Sequence, residues 1–159
     1  MTVKSTNNNN DGVRTAIFAG TFNPFTIGHA SIVERGLEIF DKIVIVVGVN
    51  ANKSADDAEK RADIIRKLYN KEDRVSVIVW NGLMVNLAQR EGIRFFLRGV
   101  RNFKDYEYEL SMADINRKIG NIETVFLPAL PEHGAISSSV VRELQSYGVD
   151  VSDMLPKPV

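Results

Sequence analysis

Short apolar runs rich in β-branched residues alternate with helix-period segments along most of the chain, and this alternation restricts the possible folds more than any other feature. Residues 43–47 read Ile-Val-Ile-Val-Val, which is typical of a strand buried on both faces of a parallel sheet. Four similar runs predict the remaining strands, at residues 16–19, 75–80, 95–97 and 124–127. Strands that alternate with helices favour one α/β domain with a five-stranded parallel sheet.

Between these runs, apolar residues recur every three or four positions, which predicts amphipathic helices. The predicted helices cover residues 29–40, 56–68, 84–90, 105–119 and 138–147. Because parallel crossovers are right-handed, we expect the helices to cover both faces of a doubly wound sheet. Ligands of such sheets bind beyond the carboxyl ends of the strands, where the strand order reverses. The residues that directly follow each strand are therefore the candidates for function.

The length of 159 residues fits a single domain. Residues 1–12 contain almost no apolar side chains, and we expect them to be a disordered lead to a domain at residues 13–159. The absence of cysteine excludes disulfide scaffolds, thiolate zinc sites and cysteine nucleophiles. No apolar run approaches the roughly 20 residues of a membrane span, and the first ten residues lack the apolar segment of a signal peptide. We therefore expect a soluble, cytoplasmic protein without a membrane partner.

The balance of basic and acidic residues limits the kinds of ligand that the protein is expected to bind. Twenty basic residues balance twenty acidic ones, so the formal net charge is zero. Proteins that bind nucleic acid without sequence preference usually carry a basic surplus, and we expect no nucleic-acid partner here. Any anionic ligand must be bound by a few locally placed groups.

The loop after the first predicted strand has features of a phosphate-binding turn. Gly20 and Gly28 allow the backbone to approach a ligand closely, and His29 opens a helix whose free N–H groups favour an anion. The loop matches neither the P-loop nor the dinucleotide-binding glycine pattern. Taken alone, such residues more often form a plain turn, with Thr26 as the helix cap and a solvated histidine.

Two arginines follow the fourth predicted strand. Arg98 and Arg101 flank Gly99, and two guanidinium groups can hold phosphate oxygens in a bidentate manner. The alternative is that these arginines lie at the surface and pair with nearby acids such as Asp105 or Glu107.

The other strands are followed by candidates that are weaker when taken singly. Lys53 is by itself an ordinary solvated charge, whereas Leu83 and Met84 are either core residues or the lining of an apolar groove. The serines Ser137–Ser139 cap a helix, and their hydroxyls can also donate to phosphate. His133 lacks the companions of a metal site. Because all these residues fall at one edge of the sheet, together they predict an electropositive rim suited to a polyphosphate.

Three segments together resemble the phosphopantetheine adenylyltransferase family. They read GTFNPFTIGHASIVERG at residues 20–36, LRGVRNFKDYEYE at residues 97–109 and ISSSVVRE at residues 136–143. The first segment contains Thr-Ile-Gly-His, a motif that alone marks only the wider nucleotidyltransferase superfamily, whereas the later two segments are more specific. The resemblance extends in order from about residue 15 to residue 148.

This resemblance implies a Rossmann-like fold and a defined reaction. ATP and 4′-phosphopantetheine would give dephospho-coenzyme A and pyrophosphate with Mg²⁺, by in-line attack without a covalent enzyme intermediate. Catalysis of this kind depends on positioning and charge stabilisation. The resemblance also implies a homohexamer and inhibition by coenzyme A.

The resemblance further implies roles for individual residues. His29 would stabilise the charge that develops at the α-phosphate, and no side chain is assigned to the metal. The acceptor would contact Thr21, Lys53, Met84 and Arg98. The ATP site would comprise Thr21, Phe22, His29, Gly99, Val100, Arg101, Glu109, His133, Gly134, Ala135, Ile136, Ser137, Ser138 and Ser139.

The chain departs from the family pattern at three places. Asn23 stands where relatives commonly carry aspartate, although asparagine keeps the turn chemistry. Residues 133–135, His-Gly-Ala, replace a stretch that often contains an aromatic residue, which weakens the expected adenine contacts. Residues 53–56 lack a proline common in that loop.

Two other interpretations stay open at this point, and a third is excluded by length. A nicotinate mononucleotide adenylyltransferase or a cytidylyltransferase shares the first motif but not the whole of the later segments. A non-catalytic nucleotide-binding regulator on the same fold would have less reason to retain His29, Lys53, Arg98 and Arg101 together. A class I aminoacyl-tRNA synthetase uses a related histidine motif, but this chain is too short for one.

Overall fold

A computed structural model describes residues 12–49 and 55–159 of the chain. The described elements are β1 (Thr15–Gly20), α1 (Ile27–Gly36), β2 (Lys42–Gly48), α2 (Ala55–Leu68), β3 (Val75–Trp80), α3 (Met84–Glu91), β4 (Phe95–Val100), α4 (Phe103–Gly120), β5 (Glu123–Pro128) and α5 (Ser138–Ser146). Two short 3₁₀ helices cover Pro131–His133 and Ser152–Met154. Lys53 and the predicted lead, apart from Gly12, lie outside the described residues.

The five strands form one parallel sheet in the order β3-β2-β1-β4-β5. Ile17 of β1 pairs with Val44 of β2 on one side and with Phe96 of β4 on the other. The chain runs outward from β1 to β3 and then returns to the other side of β1 with β4. The strand order therefore reverses between β1 and β4, and the predicted doubly wound sheet is confirmed.

Alternate side chains of the central strands enter two separate core clusters, one on each face of the sheet. Phe18 and Ile45 pack with residues of α1 and α2, whereas Ile17 and Val46 pack with residues of α3. All four side chains are buried. Burial on both faces explains why these strands have continuous apolar runs rather than alternating ones.

Helix α1 ends earlier than its apolar period predicts. The α-helix stops at Gly36, and the next residues form tighter turns in which Glu38 and Ile39 donate to carbonyls only three residues back. Phe40 nevertheless stays buried, and its ring packs 5.5 Å from that of Phe95. The apolar spacing in the sequence extends to residue 40 because Phe40 is buried, although the residues before it are no longer in an α-helix.

Strand β4 is longer than its apolar run predicts. Pairing with β5 continues through Arg98, Gly99 and Val100, so these residues belong to the strand rather than to the loop that follows it. The 3₁₀ helices are too short to show a period in sequence. Among the described residues, no helix combines the length and apolar character needed to cross a membrane.

Candidate active site

A cavity of about 350 Å³ opens at the carboxyl ends of β1 and β4, on the two sides of the point where the strand order reverses. We call it the first cavity. Its walls come from three stretches of the chain, between residues 18 and 32, between residues 98 and 109, and between residues 129 and 142. This is the edge at which α/β sheets bind their ligands.

Most of the predicted site residues meet in this cavity. Those that line it are Thr21, Phe22, His29, Arg98, Gly99, Arg101, Glu109, His133, Ile136, Ser137, Ser138 and Ser139. Val100, Gly134 and Ala135 do not line it, although their neighbours do. Met84 lies in a second cavity, and Lys53 lies outside the described residues.

The first turn of α1 holds His29 by a reciprocal pair of hydrogen bonds. The backbone N–H of Thr26 donates to His29 Nδ1 over 2.9 Å, and the backbone N–H of His29 donates to Thr26 Oγ1 over 3.4 Å. The Thr26 hydroxyl also lies 3.1 Å from Nδ1. Thr26 is 1% exposed, so the predicted cap is a buried structural feature of the site.

The surroundings of His29 keep its ring neutral at pH 7. The ring packs against Phe22 and Phe25, with centroid distances of 5.1 and 5.3 Å. Burial, together with the smaller effect of the positive charges of Arg101 and Arg98, lowers the pKa of His29 to about 4. The alternative of a solvated histidine is therefore wrong.

Phe22 fixes the path of the loop between β1 and α1. It is a buried residue in the left-handed backbone region, with φ 50°, and its ring packs 5.3 Å from that of Phe18. A Cβ on Gly20 would lie 2.9 Å from this ring. Glycine is therefore needed at position 20 to make room for the Phe22 ring. The sequence alone predicts a different reason for this glycine, the close approach of a ligand to the backbone.

The two predicted arginines each hold a carboxylate. Arg98 forms a two-pronged contact with Glu109, with nitrogen–oxygen distances of 2.9 and 2.7 Å, and its third nitrogen donates to the carbonyl of Ala19. Arg101 contacts Asp105 over 3.0 Å. The pairing with Asp105 that the alternative interpretation named is found for Arg101. Arg98 instead pairs with Glu109, one helical turn beyond Asp105, and not with Glu107.

The start of α5 faces the same cavity and is tied to the loop after β1. Ser137 caps the helix by accepting from the N–H of Val140, and the Ser138 hydroxyl donates to the carbonyl of Pro24 over 2.8 Å. The predicted serine cap is confirmed. Two helix N-termini, those of α1 and α5, therefore converge on one cavity, an arrangement that favours an anion.

Two further arginines hold the site together, and sequence reasoning missed both. Arg142 lines the cavity and donates to the carbonyl of Asn23 over 2.6 Å. Its position three residues after Ser139, on the same face of α5, could have indicated this role in the sequence. Arg61 donates to the carbonyls of Thr21 and Gly48, bridging the ends of β1 and β2. Nothing in sequence distinguishes Arg61 from the other charges of α2.

A second cavity of about 320 Å³ lies beside the first. Leu83 and Met84 line it together with Met112 of α4, which confirms that they border an apolar groove. Arg98 and Glu109 line both cavities, so their ion pair forms the wall between them. The arrangement offers a charged compartment and an apolar one that meet at a guanidinium group.

Comparison with known proteins agrees with this architecture. The family described as Cytidylyltransferase-like matches residues 17–144 of the chain. The phosphopantetheine adenylyltransferase of Bacteroides thetaiotaomicron is 47% identical over 146 residues, which is 91% of this chain and 97% of that protein. The enzyme of the same name from Porphyromonas gingivalis is 46% identical over 143 residues, or 89% and 94% of the two chains. That of Thermotoga neapolitana is 40% identical over 146 residues, 91% of each chain.

Proposed function

The chain belongs to the phosphopantetheine adenylyltransferase family within the cytidylyltransferase-like proteins, and from this premise we propose that it transfers AMP from ATP to 4′-phosphopantetheine. The products are dephospho-coenzyme A and pyrophosphate, in the synthesis of coenzyme A. The observation that carries the proposal is the pair of cavities that share the Arg98–Glu109 wall. A phosphorylated acceptor with a long, partly apolar arm needs such a groove beside a phosphate-binding group.

In this proposal the first cavity binds ATP. Arg101, Arg142 and the N-termini of α1 and α5 lie around it and offer donors for the phosphates. His29, neutral at pH 7, donates a hydrogen bond to the α-phosphate as its charge develops. The second cavity binds the pantetheine arm, with Met84 in contact with it.

The chemical step is one displacement at phosphorus. A phosphate oxygen of 4′-phosphopantetheine attacks the α-phosphorus of ATP and forms the new P–O bond, while the bond to the β-phosphate oxygen breaks and pyrophosphate leaves. Arg98 holds the acceptor phosphate by exchanging one ionic partner, Glu109, for another. Thr21, at the exposed edge of the first cavity, lies between the two substrates.

We propose that Mg²⁺ enters as its ATP complex. The carboxylates of Asp105 and Glu109 in the cavity are each held by an arginine, and in the described part of the chain no three acidic or histidine side chains group as metal ligands. Mg²⁺ commonly keeps several waters and binds through substrate phosphates, which fits this donor set. Bound there, it would neutralise charge on the phosphate oxygens.

The remaining family properties are proposed on different grounds. Helix α4 exposes large apolar side chains, among them Phe103 at 83% and Tyr108 at 65%, and such a surface favours association into a homo-oligomer, a hexamer by family resemblance.

Coenzyme A contains the same pantetheine arm, so it would compete for the second cavity as an inhibitor. We propose the cytoplasm as the location, as expected for this biosynthetic step.

A pyrophosphate-release assay tests the proposal. The purified protein is given Mg-ATP with one acceptor at a time: 4′-phosphopantetheine, nicotinate mononucleotide or glycerol phosphate. We expect turnover only with 4′-phosphopantetheine, and mass spectrometry should identify dephospho-coenzyme A. Turnover with another acceptor alone would reassign the substrate, and tight binding of ATP without any turnover would indicate a regulator.

A further inference from the structure

The N-terminus of α1 is a capping box of unusual composition. In this motif a Ser or Thr at the cap and a Glu or Gln three residues later each accept the other's backbone N–H. Here Thr26 is the cap, but the third helical residue is His29, whose Nδ1 takes the place of the carboxylate or amide oxygen. A histidine can close the box only through a ring nitrogen that carries no proton.

The hydrogen bonds of the box determine which ring nitrogen is protonated. A backbone N–H can only donate, so the 2.9 Å contact from Thr26 requires an unprotonated Nδ1. The Thr26 hydroxyl, 3.1 Å away, is a second donor to the same atom, and its oxygen accepts from the His29 N–H. The proton of the neutral imidazole must therefore sit on Nε2.

We propose that Thr26 is a positioning residue that fixes His29 in the Nε2–H tautomer, so that the capping box both starts the helix and prepares the hydrogen-bond donor of the site. Only the identity of the group that Nε2–H meets, a phosphate of the nucleotide, rests on the proposed function. The tautomer itself follows from the local hydrogen bonds.

The charged groups around the cavity act in the same direction as the box. Arg98 and Arg101 oppose a positive charge on His29, and Arg142 lines the same cavity. The acids that line it, Asp105 and Glu109, are each paired with an arginine, and His133 is the other titratable side chain of the wall. Protonation of Nδ1 would also place its N–H opposite the backbone N–H of Thr26, and the repulsion between the two donors would open the capping box.

Nitrogen NMR tests the tautomer without any substrate. The chain contains two histidines, so long-range ¹H–¹⁵N spectra of the histidine-labelled protein give two ring systems, and His133→Gln assigns them. We expect the His29 Nδ1 to give the signal of an unprotonated nitrogen and Nε2 that of a protonated one, unchanged from pH 8 to pH 6. A protonated Nδ1, or an imidazolium at pH 7, would overturn the proposal.

Two variants test the role of Thr26. Thr26→Val keeps the backbone N–H, and with it the Nε2–H tautomer, but removes the hydroxyl that donates to Nδ1 and accepts from the His29 N–H. We therefore expect the His29 Nδ1 signal to shift and kcat to fall by roughly 10- to 100-fold, with KM for ATP within about twofold. Thr26→Ser restores the hydroxyl and should restore both readouts. Unchanged spectra and kcat in Thr26→Val would contradict a positioning role.

A control separates positioning from simple loss of a helix cap. Asn102 caps α4 by accepting from the N–H of Asp105, and Asn102→Ala should lower the melting temperature comparably without moving the His29 signals. If wild-type protein shows the predicted tautomer but no turnover with 4′-phosphopantetheine, the proposed function fails and the tautomer assignment stands. If Thr26→Val does not fold, the wild-type spectrum still decides the assignment.

Discussion

The two cavities share a wall but differ in chemistry. The first is bordered by three arginines, two carboxylates, His29 and the N-termini of two helices. The second is bordered largely by apolar side chains such as Leu83 and Met84. Among the described residues, Tyr108 is the one ionisable group that it adds to the shared Arg98–Glu109 pair. One compartment is suited to a polyphosphate and the other to a flexible organic chain.

This difference assigns separate tasks to neighbouring residues. A substitution in the first cavity should affect charge stabilisation, whereas one in the second should affect acceptor binding alone. Arg98 borders both cavities, and its proposed task is to hold the acceptor phosphate where they meet. Variants that lie in only one cavity therefore test whether the division of tasks is real.

The largest effect is expected from His29 in the first cavity. His29→Ala removes a donor at the proposed reaction centre, and the loss of one such donor costs roughly 10²–10³ in kcat. Pyrophosphate release under saturating substrates measures it. His29→Gln is the matched control, because glutamine is an ordinary closing residue of a capping box.

Both variants should lose turnover, but only His29→Ala should also lose stability. The alanine variant leaves the backbone N–H of Thr26 without its partner and a gap among the phenylalanine rings, so its melting temperature should fall. A folded His29→Ala protein that turns over at the wild-type rate would remove the residue from the mechanism.

Acid should weaken the fold through the first cavity. The pKa of His29 is about 4 in the fold and about 6.5 when the chain is unfolded, so the unfolded state binds the proton more readily. The stability contributed by neutral His29 is complete above pH 6.5 and is lost as the pH falls to 4, by roughly 3 kcal/mol. Urea unfolding at pH 7 and at pH 4.5 measures the loss.

His29→Gln isolates this contribution from other acid effects. Salt-bridged and hydrogen-bonded carboxylates such as Glu72 and Glu123 have pKa values below their usual range and also lose stabilising contacts in acid. The variant keeps those groups and lacks the histidine, so its decline should be shallower than that of the wild type. Equal declines would mean that His29 is not the acid-sensitive group.

The fold could be predicted from sequence because each strand of this sheet is a separate apolar run. The strand predicted at residues 43–47 lies within β2, and the strand predicted at residues 75–80 has the same bounds as β3. The errors occur where tertiary pairing overrides the local pattern. Arg98 continues β4 because β5 pairs with it, and residues 37–40 leave the helix while Phe40 stays in the core.

The site could be predicted as a set of residues but not as a set of contacts. His29, Arg101 and Ser137 were identifiable because each stands beside a strand end or helix start. The bond from Arg61 to Thr21 joins residues 40 apart in the chain, and no local pattern encodes it. The choice of Glu109 as the partner of Arg98 likewise depends on how α4 packs against the sheet.

A comparison of Arg98 with Arg101 sharpens the contrast between the cavities. Arg98→Lys keeps the charge but loses the fork that can hold two phosphate oxygens, so we expect KM for 4′-phosphopantetheine to rise roughly tenfold with ATP binding nearly unchanged. Arg101 lines only the first cavity, so Arg101→Lys should instead raise KM for ATP. Steady-state kinetics with each substrate varied in turn gives both values. If each variant weakened both substrates equally, the two arginines would not divide the ligands between them.

The smallest effect is expected in the second cavity, at Met84. Its side chain lies at the start of α3 and lines this cavity but not the first. Met84→Ala removes apolar contact worth about 0.8 kcal/mol per methylene, so loss of one methylene's contact would raise KM for 4′-phosphopantetheine roughly fourfold and leave KM for ATP unchanged. Met154→Ala, the same substitution in the 3₁₀ helix Ser152–Met154 away from both cavities, is the matched control and should change neither constant. An increase in KM for ATP in Met84→Ala, with none for the acceptor, would show that the second cavity does not hold the arm.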